Sequence, residues 1–252
     1  MPDMAVLPAP WDVIGWLLLL GVALLLVGGF LRHPYDDLRQ GRMPKRTQLP
    51  QTVLLVALAV IVWLAAARQT ALAGLGLFVG LGVALGFLGD LFMADVFRQK
   101  DHVLFGMAAF GAGHVCYMLG FREIALAFSL HAVGAYAIAL LFTWAAAIIL
   151  WLLMIRSPTG EAGQQYAALA YALFLASMAG YALGLALQRG VLWPLAAGGL
   201  LFLLSDALIA ARLFGGHRFR YMGDVIWATY ILAQALIVTA VPAVLALLRA
   251  AP

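Results

Sequence analysis

Charged side chains are scarce in this sequence. Asp, Glu, Lys and Arg make up 10% of its 252 residues, where a water-soluble domain carries about 25%. That deficit excludes a soluble enzyme. Cysteine occurs once, as Cys116, which excludes an intrachain disulfide and any zinc site built on cysteines. No HxxxH pair or other close His/Asp cluster is present, so neither a catalytic metal nor a cofactor is expected. A GxSxG turn and a phosphate-binding glycine loop are also missing, which argues against serine hydrolase chemistry.

What the chain has in quantity is apolar surface. Hydrophobic residues make up 65% of it, and the mean hydropathy is +1.02. A membrane-spanning helix takes about 20 apolar residues, so eight would use about 160 and leave about 90 for tails and loops. The expected architecture is therefore all-α. Residues 1–252 form a single integral membrane domain, a polytopic bundle of about eight transmembrane helices. Hydrophobic runs and polar breaks place the spans at about 12–32, 50–67, 71–96, 103–121, 130–155, 166–187, 191–213 and 223–248. The stretch 122–155 is too long for one span and too short for two, so Ile124–Ser129 is read as an interfacial lead-in. The N-terminus lacks a basic leader region, and its first apolar run reads as a retained helix.

Loop charges set an orientation. The first, third, fifth and seventh loops carry Arg32, Arg39, Arg42, Lys45, Arg46, Arg98, Lys100, Arg156, Arg212, Arg218 and Arg220, 11 basic residues in all. The tails and remaining loops carry four, Arg68, Arg122, Arg189 and Arg249. Excess Lys and Arg mark the cytoplasmic side. Both termini are then outside, the segment 33–50 is a cytoplasmic loop, and a bacterial inner (cytoplasmic) membrane is the expected location. The isoelectric point near 9.5 is explained by this topology, and neither a nucleic acid nor a protein partner is implied.

Of 11 carboxylates, nine fall in tails, loops or span ends: Asp3, Asp12, Asp36, Asp37, Asp95, Asp101, Glu123, Glu161 and Asp224. Asp90, in LGFLGDLFMAD, and Asp206, in LFLLSDALIA, remain inside apolar runs. An Asp at a helix centre costs about 2.5–3.5 kcal/mol on insertion scales. A helix-packing hydrogen bond would account for one such acid; two at matched depth favour function. Each is expected about two turns, roughly 9–12 Å, from the cytoplasmic end of its span. The following spans start at that face and carry His114 with Tyr117, spaced i,i+3, and Tyr230 with Gln234, spaced i,i+4. Together they are expected to line a polar pocket in the cytoplasmic half of the bundle.

A weak repeat supports the grouping. Asp90 to His114 and Asp206 to Tyr230 are both 24 residues apart, and each Asp follows a small residue, Gly89 or Ser205. The offset of 116 residues covers four spans, so the chain would be a 4+4 parallel repeat. Gly74, Gly76, Gly80, Gly82, Gly86 and Gly89 crowd the third span, as close helix packing requires.

The ordered set GFLGDLFMA, AAFGAGHVCYMLGF, LLFLLSDALIAARLF and YILAQALIV resembles the YhhN-type lysoplasmalogenase family of eight-span membrane proteins, over about residues 45 to 240. Tyr171 and Met178 also look like the family's residues on the sixth span. Members open the second span with Lys-Pro; here RTQL separates Lys45 from Pro50, leaving Lys45 or Arg46 for that place.

The resemblance implies a lysoplasmalogenase-like ether hydrolase. It would cleave the vinyl ether of a lysophospholipid within the bilayer, with water as co-substrate, releasing a fatty aldehyde and glycerophosphoethanolamine or glycerophosphocholine. Such chemistry needs a protonated acid and a carboxylate near a water. Two desolvated carboxyls repel when both are ionised, so one keeps its proton. On this reading Asp90 and Asp206 are the catalytic pair. His114, Tyr117, Tyr230, Gln234 and Ser205 orient water and carboxyls, and Lys45, Arg46 or Arg98 holds the phosphate. The rival expectation is a proton-coupled transporter of lipids or small molecules using the same aspartates. Against it, Pro194 and Pro242 lie near span ends, so no broken helix pair is apparent.

Overall fold

Apolar runs of the length a bilayer requires become helices, because only a helix satisfies every backbone N–H and C=O within the segment. The computed structural model describes residues 4–68, 72–156 and 162–250; Asp3 and Glu161 lie outside the described residues. Among these, eight helices are long and apolar enough to cross a membrane. They are α1 (Trp11–Arg32), α2 (Lys45–Ala66), α3 (Ala73–Met93), α4 (His102–Ala127), α5 (Val133–Met154), α6 (Ala162–Gln188), α7 (Trp193–Leu213) and α8 (Met222–Ala250). Large apolar side chains stand outward: Leu24 of α1 is 63% exposed and Leu153 of α5 is 72% exposed. A water-soluble surface would not carry such a band, and lipid is its natural solvent. The chain is a polytopic helical membrane protein.

Three boundaries differ from the sequence expectation. Helix α2 starts at Lys45, not near 50, so the first loop is shorter than 33–50. Pro44 supplies an extended N-cap residue (φ −77°, ψ 155°), and Pro50 is carried inside the helix. Helix α3 stops at Met93 because Asp95 takes a left-handed φ of 56°. Its N–H and that of Val96 donate to the carbonyls of Phe92 (2.8 Å) and Leu91 (3.1 Å), a Schellman stop. Helix α4 runs through Ala127, so most of the expected lead-in is the end of α4. It stops in the same way, at Ser129 (φ 51°).

The chain forms two compact units. The first contains α1 up to Gly29, then α2, α3 and α4, and α8 from Gln234. Within it the α3 glycines serve two neighbours. A Cβ at Gly76 would meet Ala66 and Trp63 of α2, while one at Gly89 would meet the Phe110 ring of α4. Close approach of three helices explains the glycine stripe.

The second unit contains Phe30–Met43, α5, α6, α7 and α8 up to Ala233. Its loop is held by Asp224, in the first turn of α8. The buried Asp224 carboxylate accepts the backbone N–H groups of Arg42 (2.7 Å) and Met43 (2.9 Å). An acid there also complements the positive end of the helix dipole. Gly223 donates to the Gln40 carbonyl (2.9 Å), and Gly41 lies so close that a Cβ would come within 2.8 Å of the Asp224 carboxylate. In the same loop Asp36 accepts from the backbone of Arg39 and Leu38, which holds its carboxyl below the ordinary value. Asp224→Ala should destabilise this clasp by about 1–3 kcal/mol. Trypsin should then cut at Arg39 and Arg42 severalfold faster. Unchanged cleavage kinetics would show that the clasp does not hold the loop.

Candidate functional site

Each membrane-embedded carboxyl has its own surroundings. In the first unit Asp90 lies on α3, 7% exposed, one turn before the helix ends at Met93. Helix α4 brings His114 and Tyr117, both buried, with ring centroids 6.5 Å apart. The Tyr117 hydroxyl donates to the Gln234 side-chain carbonyl of α8 and lies within electrostatic reach of Asp90. Asp90, His114, Tyr117 and Gln234 thus form a polar cluster inside otherwise apolar helices. Buried polar groups are costly unless they are satisfied, and the Tyr117–Gln234 bond does this between α4 and α8.

Lys45 belongs to the same unit. Its ammonium donates to the Ala94 carbonyl (2.9 Å) at the C-cap of α3, where a cation meets the negative end of the helix. Ala94 is one turn beyond Asp90, roughly 6 Å along the axis. Of the two residues the sequence left open, it is Lys45 that makes this bond; Lys45, Arg46 and Arg98 are all exposed. Gln51, fully buried on α2 and donating to the Thr47 carbonyl (2.8 Å), is a polar group the sequence reading missed. Its place beside a polar loop disguised it.

In the second unit Asp206 sits on α7, two turns before that helix ends at Leu213. Its carboxylate accepts the hydroxyl of Tyr171 from α6 (3.0 Å). Sequence spacing pointed to Tyr230 for this environment. Tyr230 stacks edge-on with Phe202 (5.4 Å) and at a tilt against Trp227 (5.3 Å). Ser205 donates to the Ile226 backbone carbonyl (3.0 Å), tying α7 to α8. Tyr230 and Gln234, one turn apart on α8, therefore fall in different units. Among the described residues, no group of three His, Cys, Asp or Glu side chains is placed to hold a metal ion.

A buried carboxyl beside a tyrosine hydroxyl can hold a proton, pass it on, or fix a water. The sequence model of the YhhN family matches residues 47–241, most of the chain. No curated protein and no solved structure matches it.

Proposed function

The chain belongs to the YhhN family, and on that footing we propose that it is a membrane-embedded hydrolase of the lysoplasmalogen vinyl ether bond. The observation that carries the reading is the buried Asp90 with Tyr117, Gln234 and His114 around it. In the reaction a proton adds to the β-carbon of the C=C bond, leaving a cation shared by the α-carbon and the ether oxygen. Water then adds to the α-carbon, and the hemiacetal collapses to a fatty aldehyde and a glycerophospho-alcohol. One acid must give the first proton and one base must take the proton from water. The related cation of glycoside hydrolysis is handled by two carboxyls in the same division of labour.

Asp90 and Asp206 are the groups proposed for these two roles. His114, Tyr117, Gln234, Ser205 and Tyr230 are proposed to orient water and carboxyls. Lys45, Arg46 and Arg98 are proposed to receive the substrate phosphate. The lysophospholipid enters from the bilayer. The loops rich in Arg and Lys face the cytoplasm of a bacterial inner membrane, with both termini outside.

Purified protein in detergent should release a fatty aldehyde from lysoplasmalogen and leave an ester-linked lysophospholipid largely untouched. A transporter working through the same acids would yield no product without a sealed compartment. Absence of aldehyde in detergent, with the protein folded, would overturn the proposal.

A further inference from the structure

Two arginines of the second unit share one aromatic ring. The Arg220 guanidinium lies 4.9 Å from the centroid of Tyr221, and that of Arg42 lies 6.0 Å from the same ring. Each also covers a second ring: Arg42 stands 5.3 Å from Phe30, and Arg220 stands 5.7 Å from Tyr35. Tyr221 in turn meets Tyr35 edge-on (5.2 Å) and Phe30 at a tilt (5.8 Å). Among the described residues, neither guanidinium has a carboxylate within 4.0 Å, the ion pairs being Arg39–Asp36 and Arg122–Glu123. The buried Nε of Arg42 has no hydrogen-bond partner.

Stacking uses the faces of a guanidinium and leaves its in-plane N–H fork for an anion. An anion within reach of both guanidinium groups would be attracted by both charges. The loop half of the platform is fixed in advance by the Asp224 clasp, so little ordering entropy opposes binding. A tetrahedral oxyanion with several acceptors suits paired forks, and phosphate is the usual one. The surroundings select its carrier. Close in sequence to the cations and their rings, Leu31 is 67% exposed, Leu38 95% and Phe219 44%. The platform also lies by the end of α1 and the start of α8, where spans reach the headgroup level.

We propose that Arg42 and Arg220, seated on Tyr221, bind the phosphate group of an anionic membrane phospholipid. The site uses neither Asp90 nor Asp206 and does not depend on the vinyl ether reading. Native mass spectrometry of the full chain, released from neutral detergent, tests it with phosphatidylglycerol against phosphatidylcholine. The wild type should retain phosphatidylglycerol preferentially. Arg42→Gln or Arg220→Gln should each weaken retention about fivefold, and the double variant about thirtyfold. Arg220→Lys keeps the charge without the fork and should fall between wild type and Arg220→Gln. Arg156, a single arginine 5.9 Å from the Trp151 ring, is the control, and Arg156→Gln should have little effect.

Circular dichroism and thermal melting confirm that each variant folds; Arg220 is exposed, so its replacement removes no core contact. Equal retention by the double variant, or an equal loss in Arg156→Gln, overturns the proposal. Inorganic phosphate is added in a final arm. Displacement of the lipid by phosphate at matched concentration assigns the site to soluble phosphate and overturns the lipid assignment.

Discussion

Asp90→Asn should lower aldehyde release from lysoplasmalogen by about 10²–10⁴-fold, the range over which a positioned acid or base contributes. Asparagine has nearly the same shape and keeps hydrogen-bonding capacity, but it neither gives nor takes the proton. The fold should survive, because exchanging a buried carboxyl for a neutral amide removes a desolvation penalty. The melting temperature should therefore hold or rise while activity disappears. Asp206→Asn should behave in the same way. Tyr171→Phe, which deletes the donor to Asp206, is the graded comparison and should cost roughly tenfold. Near-full activity in either Asn variant removes that acid from the mechanism. A loss matched by unfolding in both would assign the acids to packing.

The second large effect should come from one added methyl. At Gly82 a Cβ would lie 2.6 Å from Cδ1 and 2.8 Å from Cζ of the Tyr117 ring. The helices cannot part easily to admit it: a Cβ at Gly113 of α4 would already be 3.1 Å from the Gly82 carbonyl oxygen. Tyr117 would have to yield, drawing its hydroxyl away from Gln234. Gly82→Ala should therefore cost about 1–3 kcal/mol of stability through overpacking. It should also cost about 10²-fold in turnover, as displacement of a positioning group by an ångström typically does. Gly28 of α1 has no atom within 4 Å of its Cβ position. Gly28→Ala should be neutral or stabilising by up to about 1 kcal/mol, since alanine is the better helix former. If both variants keep wild-type activity and melting, the contact between α3 and Tyr117 is not what holds the cluster.

The sequence made some parts of the site legible and hid others, for reasons that follow from range. An acid inside an apolar run is conspicuous wherever it packs, so Asp90 and Asp206 stood out at once. His114 and Tyr117 were found together because i,i+3 spacing on one helix is a local relation. The same rule relates Tyr230 and Gln234 on α8. One turn apart on α8, they fall in different units, and helical spacing carries no information about where a unit ends. Tyr171 donates to Asp206 across 35 residues of chain. Nothing in their spacing links them, and only the family resemblance drew attention to that tyrosine. Asp224 read as an ordinary span-end charge, because its partners are backbone N–H groups more than 180 residues away.

Hydropathy by itself determined that this is a polytopic helical membrane protein, since the cost of burying a charge or exposing a backbone in lipid is paid residue by residue along each run. The scarcity of charge also singled out the two acids that chemistry must explain. Tertiary structure decided what surrounds them. It ended α3 one turn after Asp90 through the left-handed Asp95, reached Lys45 to that helix end, joined Tyr117 to Gln234, and gave Asp206 its tyrosine from α6. Those choices rest on which helix faces meet, and such meetings are set by close packing between segments far apart in sequence.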